Sequence, residues 1–131
     1  MSPAFRLIVL LPLAACAGSG SNAPAGGIPG TVSNVTAVVG AGQIQLTWPT
    51  VSGALSYNVY MASESGVTRV NVGTLNGNMT HNGLGTTFDH PAGLDANSTY
   101  YFVVTAQNAA GQSAESCEVT ARIAGDLGGN C

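Results

Sequence analysis

The feature that most constrains the fold is a succession of short segments, rich in β-branched and aromatic residues, that are separated by Gly, Asn and Pro. Such segments at intervals of about 8 to 12 residues are typical of the strands of a sandwich or barrel. No window shows the 3.6-residue apolar period of a helix. The sequence therefore predicts an all-β domain with seven strands, at residues 33–40, 43–48, 55–62, 67–72, 86–90, 98–108 and 113–122. Ala41-Gly42 is predicted to be the turn between the first two strands.

Alternation within these segments predicts which side chains face inward. In the third segment, Tyr57 and Met61 share one face, and Tyr60 lies on the other. If Tyr57 and Tyr100 belong to the interior, the outward set of the third and sixth strands forms a candidate binding face for protein or glycan. The residues of this face are Tyr60, Tyr101, Val103 and Thr105. The alternative is that the segment 73–85 folds over these side chains and buries them.

Three groups of residues carry a family resemblance. They are Trp48 on the second strand, the spacing from Leu94 to Tyr100 in GLDANSTYYFVVTAQN, and the closing NAAGQSAESCEVTA. Together they resemble a bacterial fibronectin type III domain, which implies a seven-stranded immunoglobulin-like sandwich over residues 31–124. The resemblance also implies a tyrosine corner, in which the Tyr100 hydroxyl bonds to backbone upstream of it.

The chain departs from the family pattern at two places. The segment 73–85, GTLNGNMTHNGLG, is long and polar where the family commonly has a short connection. The loop at 107–112, QNAAGQ, lacks the Arg-Gly-Asp tripeptide with which some animal members bind integrins. Adhesion of the integrin type therefore gains no support.

The N-terminus predicts export. Residues 1–15 carry one positive charge, Arg6, followed by an apolar run that is shorter than the roughly 20 residues that span a bilayer, as in a cleaved signal peptide. The run ends in LAAC, which resembles the lipobox of bacterial lipoproteins. The resemblance implies that Cys16 is acylated and becomes the first residue. Ala17 stands where an Asp would favour the inner membrane, so we expect lipid anchoring in the cell envelope, at the outer membrane.

A flexible spacer is predicted to follow the anchor. Residues 16–30 contain Cys16 and then AGSGSNAPAGGIPG, with almost nothing that could join a core. The folded domain can therefore stand clear of the lipid surface. At the other end, residues 125–131 form a Gly-rich tail.

Charge and motif content exclude several classes of function. Only 7% of residues are charged, and three basic residues offer no stripe for a phosphate backbone, so nucleic acid is not an expected partner. His81 and His90 are expected to be surface residues in loops, because Asp89 neighbours His90 on a strand and points to the opposite face. No metal-ligand spacing or nucleophile motif occurs, so we expect no metal, no cofactor and no enzymatic activity.

Two cysteines remain after Cys16. In an oxidising compartment Cys117 and Cys131 are candidates for a disulfide, and the glycines between them allow the tail to turn back. The alternative is that Cys117 is a small buried residue and Cys131 is free.

These observations predict a non-enzymatic, membrane-anchored lipoprotein that presents an interaction module to a protein or polysaccharide. The alternative is a structural or spacer subunit of a larger envelope assembly. The resemblance to a fold used by many unrelated binders does not choose between the two.

Overall fold

A computed structural model describes residues 27–90 and 93–131, so the predictions for the signal peptide, Cys16 and most of the spacer lie outside the described residues. The described chain forms two antiparallel sheets that pack face to face. Its strands are β1 (Thr36–Gly40), β2 (Gln43–Thr47), β3 (Ser56–Ala62), β4 (Met79–Leu84), β5 (Thr87–Asp89), β6 (Tyr100–Asn108), β7 (Gly111–Gln112) and β8 (Val119–Ala121). No helix in these ranges is long and apolar enough to cross a membrane.

The smaller sheet has the strand order β1-β2-β5. Its β1–β2 hairpin closes with the two-residue turn that the sequence predicts, at Ala41 and Gly42, between the paired Gly40 and Gln43. Both turn residues have positive φ, of 52° and 74°, as a type I′ hairpin turn requires. Along β2 the buried Ile44 and Leu46 alternate with exposed or half-buried neighbours, so one face of the sheet is buried and the other is open to solvent.

The larger sheet has the order β4-β3-β6-β7, and β8 also pairs with β6. β3 and β6 form its centre, with a continuous register from Ser56 opposite Gln107 to Ala62 opposite Tyr101. In both central strands nearly every residue is buried. The centre of the larger sheet is therefore covered on both faces, whereas the smaller sheet is covered on one.

The main core lies between the two sheets and follows the predicted alternation. Phe102 and Val104 enter it from β6, Tyr57 and Met61 from β3, and Leu46 from β2. The Trp48 ring packs edge-on against Tyr57, with ring centroids 5.7 Å apart. The full buried set is Val32, Val35, Ala37, Ile44, Leu46, Trp48, Tyr57, Val59, Met61, Phe88, Tyr100, Phe102, Val104, Ala106, Val119 and Ala121.

The predicted strand at 67–72 is wrong. Residues there form turns that lead into a 3₁₀ helix, Val72–Thr74. The cause is local: the Asn71 side chain accepts from the Thr68 N–H at 2.8 Å, and the Thr68 hydroxyl accepts from the Asn71 N–H at 3.1 Å. Side chains that satisfy neighbouring backbone groups in this way compete with strand pairing. The fourth strand is instead β4, inside the polar segment 73–85, where it pairs with β3.

The last predicted strand, 113–122, is shorter in the structure, where β8 occupies only Val119–Ala121 and β7 comes directly before the predicted range, at Gly111–Gln112. Between them, Ser113 and Ser116 each bond twice to one residue of β6. Ser113 donates its N–H to the Ala106 carbonyl at 2.8 Å, and its hydroxyl accepts from the Ala106 N–H at 3.0 Å. Ser116 does the same with Val104. Serine hydroxyls thus replace backbone carbonyls and keep the ladder satisfied across the interruption.

The C-terminal tail returns to the sandwich. The Ala37 N–H donates to the Gly129 carbonyl at 2.7 Å, and the Cys131 N–H donates to the Val35 carbonyl at 2.9 Å. A Cβ at Gly128 would clash with the Ala37 carbonyl, so the close approach to β1 requires glycine. A disulfide joins Cys131 to Cys117, with their Cα atoms 6.0 Å apart, and Cys117 is exposed rather than buried.

Candidate functional site

The predicted exposure of the Tyr60 face is wrong, because that face lies under a loop. Tyr60 is 6% exposed and Val103 2% exposed, Thr105 is fully buried and Tyr101 is half-buried. Val67, Val72 and Leu75 pack onto Tyr60 and Val103 to form an outer cluster. The covering residues lie between 64 and 75. This range overlaps only the beginning of the segment 73–85, which the alternative had named as the cover.

Polar side chains fill the rest of this covered face. Gln112 accepts from the Tyr60 hydroxyl at 2.8 Å and from the Thr105 hydroxyl at 2.7 Å. Asn58, which is 1% exposed, donates to the Thr105 hydroxyl at 3.3 Å and to Gln107 at 2.9 Å. Because these buried groups pair with one another, the face has few donors to offer a partner.

Carboxylates hold the covering loop in place. Glu118 Oε1 accepts from the backbone N–H groups of Gly66 and Val67, at 2.8 and 2.9 Å. Glu115 accepts from the Arg69 N–H at 2.8 Å, while the Arg69 guanidinium donates to the Ser113 carbonyl at 3.1 Å. Three of the chain's few charges thus fix a loop to the edge of the larger sheet.

The open surface is the outer face of the smaller sheet, which the sequence analysis did not propose as a site. Within the part of the chain that the structure describes, Gln43, Gln45 and Asp89 are exposed, and Val38 is 53% exposed. Gln45 donates to the Asp89 carboxylate at 2.7 Å. With Gly40 these four residues line a shallow depression of about 210 Å³. The strict alternation in QIQLTW was the available signal, because it placed Gln45 and Thr47 on a solvated face.

The residues of the predicted corner come together. The Asp95 N–H donates to the Tyr100 hydroxyl at 2.9 Å, and Leu94 packs against the main core. Asp95 closes the turn by accepting from the Ser98 hydroxyl at 2.7 Å and from the Asn97 N–H at 3.0 Å. These two hydrogen bonds, that of Ser98 first, hold the pKa of Asp95 below its usual value.

A second tyrosine makes a similar contact that the sequence analysis missed. The Val51 N–H donates to the Tyr57 hydroxyl at 2.7 Å. Tyr57 lies on β3, and Val51 lies on the connection from β2 to β3. This bond therefore ties the connection between the two sheets to the larger sheet. Trp48, which was grouped with Leu94 and Tyr100 on the family resemblance, packs its ring edge-on against Tyr57, beside this contact.

The two histidines are not surface loop residues, as the sequence analysis expected. His81 is half-buried on β4, and His90, directly after β5, is 2% exposed. Their ring centroids lie 5.5 Å apart, and the His81 ring packs 4.4 Å from that of Phe88. Burial, and secondarily the nearby His90, lower the pKa of His81. The Asp89 carboxylate accepts from Gln45 on the outer face of the smaller sheet. In the described ranges His, Cys, Asp and Glu form no group of three that could hold a metal.

Comparison with known proteins gives the fold family. The family model for the fibronectin type III domain matches residues 30–122. The fold is similar to that of a solved Fn3-like protein from Clostridium thermocellum, at 26% identity and a TM-score of 0.53, over 73% of this chain and 91% of that one.

It is also similar to the FN5 domain of Drosophila Lar, at 19% identity and a TM-score of 0.51, over 70% of this chain and 92% of that one. No curated protein matches the sequence. Domains of this family are generally non-catalytic interaction or structural modules. Since the family model covers most of the chain and the two sheets have the expected arrangement, the chain belongs to the fibronectin type III domain family.

Proposed function

We propose that this chain is a bacterial envelope lipoprotein, anchored through Cys16, whose fibronectin type III domain is a non-enzymatic module for contact with a protein or a polysaccharide. The LAAC sequence after the apolar run supports the anchor. A flexible spacer of the length of residues 17–30 has an r.m.s. reach of roughly 20 Å, which lets the domain stand clear of lipid headgroups. The Ala after Cys16 favours the outer membrane.

The observation that carries the binding role is the asymmetry between the two sheets. The outer face of the larger sheet is occupied by the chain's own loop, whereas the outer face of the smaller sheet carries exposed amide, hydroxyl and carboxylate groups around Val38. Amide and carboxylate groups that flank an apolar side chain suit the hydroxyls of a polysaccharide or the backbone of a protein. The module therefore binds through Val38, Gln43, Gln45 and Asp89.

Site-specific photo-crosslinking in intact cells tests this role. A benzophenone side chain at Gln45 is compared with one at Val70, which is 87% exposed on the loop that covers the larger sheet. The proposal expects a crosslinked product from position 45 and none from position 70. Mass spectrometry and glycan staining then identify a protein or a polysaccharide. Equal labelling at both positions, or labelling at position 70 alone, overturns the assignment of the face.

The structural alternative makes a different prediction for the same experiment. A fixed subunit gives one stoichiometric protein product that survives washing of the membranes, because its interface does not exchange. A reversible binder gives a product only when light is applied while the partner is present.

The anchor has a separate test. Replacing Cys16 with Ser removes the thiol that accepts the lipid. We expect the wild-type chain in the detergent phase after phase separation with Triton X-114, and labelled by radioactive palmitate in cells. The C16S variant is expected to lose the label. A variant that keeps the label refutes the anchor and leaves the Gln45 face untouched, so the two parts of the proposal fail independently.

A further inference from the structure

Three side chains that are soft or borderline metal ligands, those of Met79, His81 and His90, lie close together at the side of the sandwich formed by β4 and β5. Met79 and His81 project from β4 on the face that its partners Met61 and Val59 turn to the main core. His90 follows β5 on the opposite sheet. Phe88 closes the inner side of the group through its ring contacts with both histidines. The two sheets thus bring a thioether and two imidazoles to one place.

The distances suit a shared metal. His90 Nε2 and Met79 Sδ are in hydrogen-bond contact, 3.2 Å apart. A metal about 2.0 Å from an imidazole nitrogen and about 2.3 Å from a sulfur holds the two ligand atoms roughly 3 to 3.5 Å apart at angles near 90–110°. The His81 and His90 rings, with centroids 5.5 Å apart and planes at 87°, are close enough for one nitrogen of each to bind the same ion.

His81 supplies an independent observation. Its Nε2 atom is buried and has no hydrogen-bond partner. A buried polar nitrogen without a partner is costly, and such groups in native proteins call for a physical explanation such as an ion. Packing against Phe88 accounts for the ring's position but leaves this nitrogen unsatisfied. A bound cation gives it a partner.

We propose that Met79, His81 and His90 form a binding site for Cu(I). Thioether sulfur selects soft Cu(I), and imidazole binds copper well, whereas Zn²⁺ sites are built from thiolate, imidazole and carboxylate. No carboxylate or thiolate takes part in the group within the described residues. Met79 is 43% exposed and gives the ion a route from solvent, while Phe88 shields the inner side. The site lies apart from the Gln45 face and does not depend on the proposed binding role.

The test is a titration of the full chain, in detergent, with Cu(I) supplied as its bicinchoninate complex under nitrogen. Ascorbate keeps the copper reduced without opening the Cys117–Cys131 disulfide. The chain carries C16S, because any Cys16 that has escaped acylation would present a free thiol, which itself binds Cu(I). We expect one copper per chain to leave the bicinchoninate. The Met79 methyl and the ring signals of both histidines should shift together in NMR spectra.

Variants distinguish binding of Cu(I) at this site from nonspecific binding of copper elsewhere on the chain. Second-shell changes alone cost metal sites about 10- to 100-fold in affinity, so loss of a ligand in Met79→Leu or His81→Gln should weaken Cu(I) binding by at least about tenfold. Met61→Leu is the matched control: it removes the thioether that is paired with Met79 across the strands but lies in the main core, and should leave binding unchanged.

Other outcomes overturn the proposal. Unchanged Cu(I) affinity in the M79L and H81Q variants would place the copper elsewhere. Tighter binding of Zn²⁺ than of Cu(I) would reject the assignment of the metal. If a variant unfolds, the NMR titration of the parent chain decides, since copper uptake without shifts at Met79, His81 and His90 refutes the site.

Discussion

The two sheets of this domain bury their residues differently. In the smaller sheet, β2 alternates between buried and solvated positions, and its outer face is open. In the larger sheet, β3 and β6 are buried along almost their whole length, because a loop covers their outer face. The sequences differ in the same way: QIQLT has apolar residues on one face only, whereas SYNVYMA and YYFVVTAQN carry large apolar residues on both faces. Apolar residues on both faces of a strand in an antiparallel sheet therefore indicate that both faces are buried.

The two layers of buried side chains, one on each face of the larger sheet, are also built differently. Between the sheets, apolar side chains from paired strands interlock in the main core. Over the larger sheet, five buried residues suffice, and the loop is fixed by the acceptor groups of Glu118, Glu115 and Asn71. Strand pairing makes the main core stiff, whereas a loop held by individual hydrogen bonds can settle or open locally. The four predictions below test this difference.

The largest loss of stability is expected from the main core. Phe102→Ala removes a fully buried ring from between the sheets and should lower the free energy of unfolding by about 3–5 kcal/mol, measured by urea denaturation. Val38→Ala, on the open face, should change it by less than about 0.5 kcal/mol.

A matched pair on β6 sharpens this comparison. Val104 faces the main core and Val103 faces the outer cluster, and both are nearly fully buried. The cost of a cavity depends on how well its surroundings collapse, so Val104→Ala should cost more than Val103→Ala. Equal costs would mean that the covering loop is as stiff as a sheet.

The second prediction concerns the connection that leaves the smaller sheet and enters the larger one. Tyr100→Phe removes the acceptor of the Asp95 N–H and should destabilise the domain by about 1–3 kcal/mol. Thermal unfolding of this variant and of Tyr57→Phe, which loses the corresponding bond to Val51, provides the measurement. A melting temperature unchanged by Tyr100→Phe would show that the corner bond contributes nothing to holding the sheets together.

Local pattern was enough to predict most of the fold. Alternation predicted which side chains of β2 and β3 enter the main core, and Ala41-Gly42 predicted the hairpin turn. The corner was predicted by the family resemblance, which the Leu94-to-Tyr100 spacing helps to carry. The strand at 67–72 failed because β-branched composition could not reveal the reciprocal bonds of Thr68 and Asn71. β4 was missed because MTHNGL, an edge strand, carries few β-branched residues.

Surface features were harder to predict than the core. The Tyr60 face was expected outside because alternation gives the face of a residue but not what lies above that face. Its cover depends on Glu118 reaching Gly66 and Val67, a contact over some 50 positions of sequence. The His81–His90 contact likewise joins strands of different sheets, and no spacing rule within one strand could bring these rings together.

The third prediction tests how the loop is held. Glu118→Ala removes the acceptor of two backbone N–H groups and should loosen residues 66–75 by about 1–2 kcal/mol, while the main core stays intact. In hydrogen exchange this corresponds to amides of the loop exchanging about 5- to 30-fold faster. Glu118→Gln retains an acceptor oxygen and should fall between. Faster exchange spread evenly over β2 and β6 would show that the loop does not open separately.

The smallest effect is expected from the Asp95 side chain of the corner, and it depends on pH. Hydrogen bonds from Ser98 and from the Asn97 N–H lower the pKa of Asp95 from its ordinary 3.8. The folded state therefore releases this proton more readily than the unfolded chain, and the resulting stabilisation is complete above 3.8. It is lost as the pH falls through the pKa of the folded state. Melting temperatures of wild type and Asp95→Asn should therefore converge in strong acid, because the amide does not titrate. A difference that stays constant down to the lowest pH would show that the Ser98 bond does not depend on the charge of Asp95. The corner would then differ from the covering loop, which the Glu118 carboxylate holds in place.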